Sequence, residues 1–288
     1  MTNANPASLE YPDLLFNIVG QRIKIHCHDD LFRKVIQANF DAFHDFEGPA
    51  DLEYTVTRPV SGGFTISRDN VMLAEAQNDD AILYSSLYWL EKAITLDLQD
   101  NRTDLYFVHA SVLEHQGHVI MIAAESGTGK STTAWALLQH GFRYLSDELA
   151  PIDPTTLAVH AYPHALCLKA VPPGPYPLPQ NVIQTERTIH IPAGEISNPV
   201  IRHPAPLKAL FFLQREPNAS RPTFSKLSAA EAGTRLYANT LNALAHPGSG
   251  LDTAIGIASA LPAFLLNAGE LRPTCELILN IVDDIPDA

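Results

Sequence analysis

Residues 124 to 131 read Ala124-Glu125-Ser126-Gly127-Thr128-Gly129-Lys130-Ser131, the spacing GxxxxGK(S/T) of a phosphate-binding loop with alanine in the first glycine position. Each residue type suits that chemistry. Gly127 and Gly129 allow the positive φ values that turn successive amides inward, and a helix starting at Lys130 offers its orphan N–H groups and dipole to a polyanion. Lys130 can reach terminal phosphates, and the Ser131 hydroxyl can occupy one position around Mg²⁺. Ser126, Thr128 and Thr132 complete the nucleotide-contacting segment. Alanine at 124 is a mild departure, because a methyl group is small and the position closes a strand. The plain alternative is a Gly/Ser turn before a helix. An apolar strand before the loop and an amphipathic helix after it favour phosphate.

Arg143-Tyr144-Leu145-Ser146-Asp147-Glu148 follows that helix and ends in adjacent carboxylates. In a right-handed βαβ crossover the two strands run parallel and finish on one rim, which turns Asp147 towards the phosphates. One acid of such a pair can bind Mg²⁺, directly or through water, while the other accepts the proton of an attacking hydroxyl. Alternation puts Leu145 and Asp147 on one face and points Glu148 away. A solvated acidic turn is the competing reading. His109, in Val108-His109-Ala110-Ser111, is a third candidate, because pairing of its strand with the loop strand would bring the imidazole near phosphates or acids. A lone histidine is also commonly a satisfied core residue. Lys169, Arg187, Arg202, Lys208 and Arg215 lie beyond this unit as candidates to clamp a transferring phosphoryl group. Arg187 and Arg202 come first, since they sit in irregular stretches able to close over a site.

The elements that must position these groups are legible from periodicity. LYFVHASVLE and HVIMIAA read as two strands joined at Gln116-Gly117, the second nearly continuous in apolar residues and so covered on both faces. Lys130 to His140 reads as a helix with Ala134, Leu137 and Leu138 inward and Gly141 as its C-terminal cap. Arg143 to Leu149 and Leu207 to Leu213 read as strands. Ser228-Ala-Ala-Glu231 spells a capping box opening a helix through about Leu244, and Leu271 to Asp284 reads as one more helix. Pro172–Pro179 and Pro192–Pro206 are irregular. Upstream, Leu15–Val19, Ile23–Ile25, Leu52/Tyr54/Val56 and Phe64/Ile66 suggest a β-meander. It is closed by a helix over Asp79–Asp97 with Leu83, Leu87, Leu90 and Ile94 on one face. Nothing in this first section suggests chemistry.

Composition sets the outer bounds. The 288 residues are 46% hydrophobic and 18% charged, enough to bury a core and against disorder. The net charge of −13 disfavours nucleic acid and anionic lipid as partners. No apolar run approaches the ~20 residues of a membrane span. The N-terminus MTNANPASLEYPDLL lacks a basic region followed by an apolar one, which favours a cytoplasmic address. Cys27, Cys167 and Cys275 are scattered, as in a reducing compartment. In His26-Cys27-His28, strand alternation turns the histidines away from the cysteine and argues against a metal site there.

His109-Ala110-Ser111-Val112-Leu113-Glu114, followed by HVIMIAAESGTGKSTTAWALLQHGFRYLSDE, resembles the catalytic core of the HPr serine kinase/phosphorylase superfamily. That core pairs a histidine-bearing strand with a P-loop, a single helix ending in glycine, and a strand closing in two acids. The short separation from Lys130 to Asp147 is distinctive, and phosphoenolpyruvate carboxykinases share it. The resemblance covers His109 to Lys169. Pro206–Leu213 and the helix from Ser228 are similar, less specifically, to HprK-like kinases found beside peptide-tailoring genes, including lasso-peptide kinases.

The resemblance implies an α/β fold: an HPr-kinase/PEP-carboxykinase-like P-loop core over residues 101–288, with C-terminal helices, behind a β-rich section over 1–100. It implies ATP or another phosphate donor, Mg²⁺, and an acceptor hydroxyl on a peptide or protein, either a serine or the C-terminal residue. Lys130 and Ser131 would lie on phosphate and Mg²⁺, Asp147 would be the catalytic base, Glu148 the metal-side acid, and His109 a support for the phosphates. Asp147 would also border the metal. Homo-oligomers are implied by resemblance alone. Two departures concern the acceptor. Leu166-Cys167-Leu168-Lys169 has no carboxylate where HPr kinases carry a glutamate, and Ile201-Arg202-His203-Pro204 does not copy the Pro-Gly-Arg-Asn signature of the phosphorylase reaction. A small-molecule hydroxyl and a nucleotide sensor without transfer activity remain alternatives. A carboxykinase-like lyase lacks matching groups for oxaloacetate and a second metal.

Overall fold

The computed structural model describes residues 11–59, 62–77, 79–215 and 219–286. Residues 1–10, on which most of the N-terminal address reading rests, lie outside the described residues. Among the described residues no helix is long and apolar enough to cross a membrane.

The chain opens with β1 (Leu14–Ile18) and β2 (Gln21–Cys27), a hairpin closed at Val19-Gly20, where both residues have positive φ. Helix α1 (Asp30–Asn39) follows, then β3 (Leu52–Thr57), β4 (Phe64–Arg68), β5 (Val71–Ala76) and helix α2 (Ile82–Asn101). The five strands form one sheet in sequence order. It is not a simple meander: α1 crosses over between β2 and β3, which therefore pair in parallel. Asp29 caps α1 by accepting a hydrogen bond from the Phe32 amide at 2.9 Å, and Phe32, Val35 and Ile36 recur at helical spacing and are buried. The alternating Leu52, Tyr54 and Val56 and the facing Phe64 and Ile66 are buried beneath Leu90 and Ile94 of α2. Cys27 points into this core, whereas His26 turns outward to Asp13 at 2.6 Å, as alternation requires.

The larger unit begins with β6 (Tyr106–Val108) and β7 (Ala110–His115), followed by β8 (His118–Ala124), α3 (Lys130–Leu138), β9 (Arg143–Ser146), β10 (Ala150–Ile152) and β11 (Ala158–Val159). The stretch expected as one strand from Leu105 breaks at His109. There the backbone N–H bonds the Asn239 carbonyl at 2.8 Å, and the chain passes from pairing with β10 to pairing with β8 and β9. A small sheet of β12 (Leu166–Leu168), β13 (Ile183–Gln184) and β14 (Ile189–Ile191) packs on α3. Next come β15 (Ala205–Arg215), β16 (Thr223–Lys226), α4 (Ala229–Ala238), α5 (Leu251–Ala260), β17 (Ala263–Ala268) and α6 (Leu271–Asp283).

The central sheet runs β17-β15-β8-β7-β9, with β8, β15 and β17 parallel and β7 reversed between β8 and β9. Strand β8 is covered on both faces, which accounts for its unbroken apolar run. Ile120, Ile122 and Ala124 meet Ala134 and Leu137 of α3 and Ile278 of α6, while Val119, Met121 and Ala123 meet Leu236 of α4 and Ile257 of α5. The helix opened by the Ser228–Glu231 capping box stops at Ala238, short of Leu244, because Thr240 is drawn into a bridge with Val108. The observed architecture is α/β with a P-loop at the end of a buried strand.

Candidate active site

The loop leaves β8 at Ala124 and enters α3 at Lys130. Gly127 has φ of +88° and Gly129 φ of +108°, the latter as the N-cap of α3. A Cβ at either position would meet nothing within 4 Å, so glycine is required there by backbone conformation and not by space. The Thr128 amide bonds the Glu125 carbonyl at 3.2 Å and closes the loop. Ser126 and Gly127 are exposed, and Ser131 and Thr132 are half-buried at the first turn of α3.

Strand β9 leaves the ladder at Ser146, which pairs with Val112 of β7. The Ser146 hydroxyl then accepts hydrogen bonds from the amides of Glu148 at 3.3 Å and Leu149 at 3.1 Å, turning the acid pair off the end of the strand. Because β9 runs parallel to β8, the two acids reach the rim that carries the loop. Asp147 is 1% exposed. Its Oδ1 accepts the hydroxyl of Ser111 and lies 3.5 Å from Lys130 Nζ, while the same ammonium donates to the Asp147 carbonyl. Its Oδ2 is buried and has no hydrogen-bond partner. A buried carboxylate oxygen with no donor is costly unless a ligand completes it.

Glu148 turns the other way, as alternation suggested, with its Oε2 3.5 Å from His109 Nδ1. Loss of water on its protein side raises its carboxyl above the ordinary range; Lys130 opposes this and Asp147 adds to it. His109 is lowered to about 4, first by partial burial and then by the Lys130 ammonium, so its ring is neutral at pH 7. The residues read from the sequence, Lys130, Ser131, Asp147, Glu148 and His109, therefore converge at one rim.

Mg²⁺ is the ion the resemblance implies, and this site fits it. Hard cations take oxygen ligands, and Asp147 Oδ2, the Glu148 carboxylate and the Ser131 hydroxyl are the oxygens available.

Three participants escaped sequence reading. Ser111 is fully buried on β7 and holds Asp147; its signal was its place in the strand that pairs with the loop strand, just after His109. Glu91 of α2 comes from the section that suggested no chemistry and lies 2.7 Å from the buried His164 Nε2. His164 Nδ1 faces the Ala165 carbonyl at 3.0 Å, and its own carbonyl accepts the Tyr144 hydroxyl at 2.8 Å. Glu91 is thus tied through His164 to the strand that bears the acids. Burial lowers the His164 pKa, but the Glu91 carboxylate, joined by Glu148 and the Ala165 carbonyl, outweighs burial and the net shift is upward.

The basic candidates separate cleanly. The Arg187 guanidinium lies over Tyr84 at 5.1 Å, and Arg202 follows Ile201, whose amide bonds the Tyr144 carbonyl. Neither makes a hydrogen bond or ion pair with the loop among the described residues, so the preference for these two arginines is not supported. Lys208 sits at the start of β15, opposite the beginning of β8 and away from the loop end. Arg215 is exposed at the far end of β15. Lys169 is the one that touches the loop, with its Nζ 3.2 Å from Ser126 Oγ.

No family model matches the chain. A curated relative, the HPr kinase/phosphorylase of Pediococcus pentosaceus, is 27% identical over 144 residues, covering 49% of this chain and 44% of the relative. The chain thus matches less than half the length of that protein. A solved structure of the Hpr(Ser) kinase/phosphatase from Coxiella burnetii overlays 62% of this chain and 88% of its own, at 14% identity and a TM-score of 0.31. Over the matched half, the chain is HPr-kinase-like in sequence.

Proposed function

We propose that the chain is a Mg²⁺-dependent phosphotransferase that moves the terminal phosphoryl group of ATP to a hydroxyl of a protein or peptide. The observation that carries this reading is Asp147, buried, held by Ser111, adjacent to Lys130, with one carboxylate oxygen unpartnered at the phosphate rim. A nucleotide sensor needs the loop; it has no use for a fixed, under-satisfied carboxylate there.

The acceptor hydroxyl loses its proton to Asp147 as its oxygen attacks the terminal phosphorus, and the bond to the bridging oxygen of the nucleoside diphosphate breaks. Lys130 and the amides of Gly127 to Ser131 hold the phosphates through the transfer. When bound, Mg²⁺ would neutralise charge on the phosphate oxygens, held by Ser131 and the acid pair. Neutral His109 can orient Glu148 or a phosphate by hydrogen bonding. The missing carboxylate at Leu166–Lys169 and the missing signature at Ile201–Pro204 favour an acceptor other than HPr, and a tailored peptide of the lasso type is the finer reading.

The test is incubation with labelled ATP and Mg²⁺ against HPr, precursor peptides and small alcohols, followed by mass spectrometry of the products. Phosphate on a serine or C-terminal residue is the expected result. Tight nucleotide binding with no acceptor phosphorylated would replace this reading with a sensor.

A further inference from the structure

We infer that Lys169 is a second phosphate-binding cation of this site, one that engages the terminal phosphate of a nucleoside triphosphate from outside the loop. The inference rests on the nucleotide reading above and adds a residue to it.

Leu166 and Leu168 of β12 are buried in the core that contains Ala134, Leu137 and Leu138 of α3. Alternation then turns Cys167 and Lys169 to the other face, and Cys167 lies 3.2 Å from His190 Nδ1 in the buried layer behind the acid pair. Lys169 is the first residue past the strand and is exposed, with its ammonium 3.2 Å from Ser126 Oγ. Anchored leucines on one side and an exposed lysine on the other fix the direction of the side chain while leaving its head free to move.

The charge around it supplies the reason. Lys130 is buried and already shared with Asp147. Lys169 forms no ion pair with a carboxylate among the described residues; its partner in the loop is a neutral hydroxyl, which satisfies one donor and cancels no charge. Glu125, Asp147 and Glu148 all lie on or beside the loop in a chain of net charge −13. A triphosphate entering there remains negative after Mg²⁺ and Lys130 are counted, and Lys169, whose ammonium already contacts the loop, is a cation placed to offset the excess. Ser126 lies three residues before the Gly129 cap of α3, towards the strand end of the loop and before the helix amides. A lysine resting on it therefore approaches the phosphate chain from outside the cradle, where a terminal phosphoryl group is accessible. Such a group stabilises charge as the phosphoryl transfers.

Isothermal titration of the full chain and its Lys169→Ala and Lys169→Arg variants with MgATP and MgADP tests this. Lys169→Ala is expected to weaken MgATP binding about tenfold, the effect of one charge-assisted hydrogen bond, with MgADP affected less than about threefold. Lys169→Arg should hold MgATP within about threefold of the parent. An exposed side chain leaves melting unchanged. Equal affinity of parent and Lys169→Ala for MgATP overturns the inference, as does equal weakening for both nucleotides. If the parent binds neither nucleotide, the nucleotide reading falls and takes this inference with it; if the parent binds and Lys169→Ala is indistinguishable, this inference alone falls.

Discussion

The Lys130 ammonium stands 3.5 Å from Asp147 Oδ1 and also binds the Asp147 main-chain carbonyl, so the loop lysine and the acid of the next parallel strand form one buried unit. A nucleotide entering the loop competes for that lysine. Asp147→Asn keeps the shape and removes the base. Transfer is expected to fall by roughly 10²–10⁴-fold, the ordinary contribution of a positioned general base, while MgATP affinity, which Ser131 and Glu148 also support through Mg²⁺, falls by less than about tenfold. Initial rates and calorimetry on the same preparation check both halves, and unchanged rates would remove Asp147 from the chemistry.

Ser111 acts on the same carboxylate from the opposite side. Its hydroxyl is fully buried and donates to Oδ1, leaving Oδ2 as the free oxygen. In Ser111→Ala the carboxylate loses its orienting donor and keeps Lys130. The expected result is a drop in kcat of about tenfold with KM for ATP little changed, together with about 1 kcal/mol less stability. A rise in KM at constant kcat would show instead that Ser111 shapes the nucleotide pocket.

The loop makes a separate demand on backbone. Gly129 caps α3 at φ of +108° with open space around a virtual Cβ. Gly129→Ala therefore tests conformation without steric clash, and the cost is expected at about 1–2 kcal/mol of stability. Binding should suffer more than folding, because relaxing that φ rotates the amides that face the phosphates. Thermal melting with and without MgATP reads both effects, and the nucleotide-induced rise in Tm should disappear.

How much of this was legible depended on whether the determining contacts are local. The loop, its helix, the burial of β8 on both faces and the divergence of Asp147 from Glu148 all follow from residues within one strand-helix-strand unit, where periodicity and alternation act directly. Ser111 beside Asp147 does not, because it requires β7 to lie between β8 and β9, and strand order is a tertiary fact. Helix α1 was legible in principle, with Phe32, Val35 and Ile36 at helical spacing behind the Asp29 cap, but it spans only ten residues between strands. Helix α5 carries Ala254, Gly256 and Ala258 among its apolar positions, small residues that blur the period, so it and the following β17 left no clear sequence pattern. Lys169 was visible only as one of several cations; the alternation of Leu166 and Leu168 before it was the unused clue.

The Glu91–His164 pair gives a pH dependence whose sign can be worked out. His164 faces the Glu91 carboxylate through Nε2 and the Ala165 carbonyl through Nδ1, two acceptors that suit the imidazolium. Burial lowers its pKa, Glu91 with Glu148 and the Ala165 carbonyl raises it by more, and the folded value lies above the unfolded value of about 6.5. Stabilisation from the pair is then complete below about pH 6.5 and is lost as pH rises through the raised folded value. His109 and His190, both lowered to about 4 with burial as the main cause, behave oppositely and withdraw stability as pH falls from about 6.5 towards 4. The parent's curve mixes these signs, and the difference between the parent and Glu91→Gln isolates His164. Urea unfolding is expected to show Glu91→Gln less stable by about 2–4 kcal/mol at pH 6, with the gap narrowing towards pH 9. A gap that stays constant over that range would mean His164 is neutral in the folded chain. Because the carbonyl of His164 accepts the hydroxyl of Tyr144, two residues before Ser146 and the acid turn, the same substitution should also lower transfer activity, and by more at pH 6 than at pH 8.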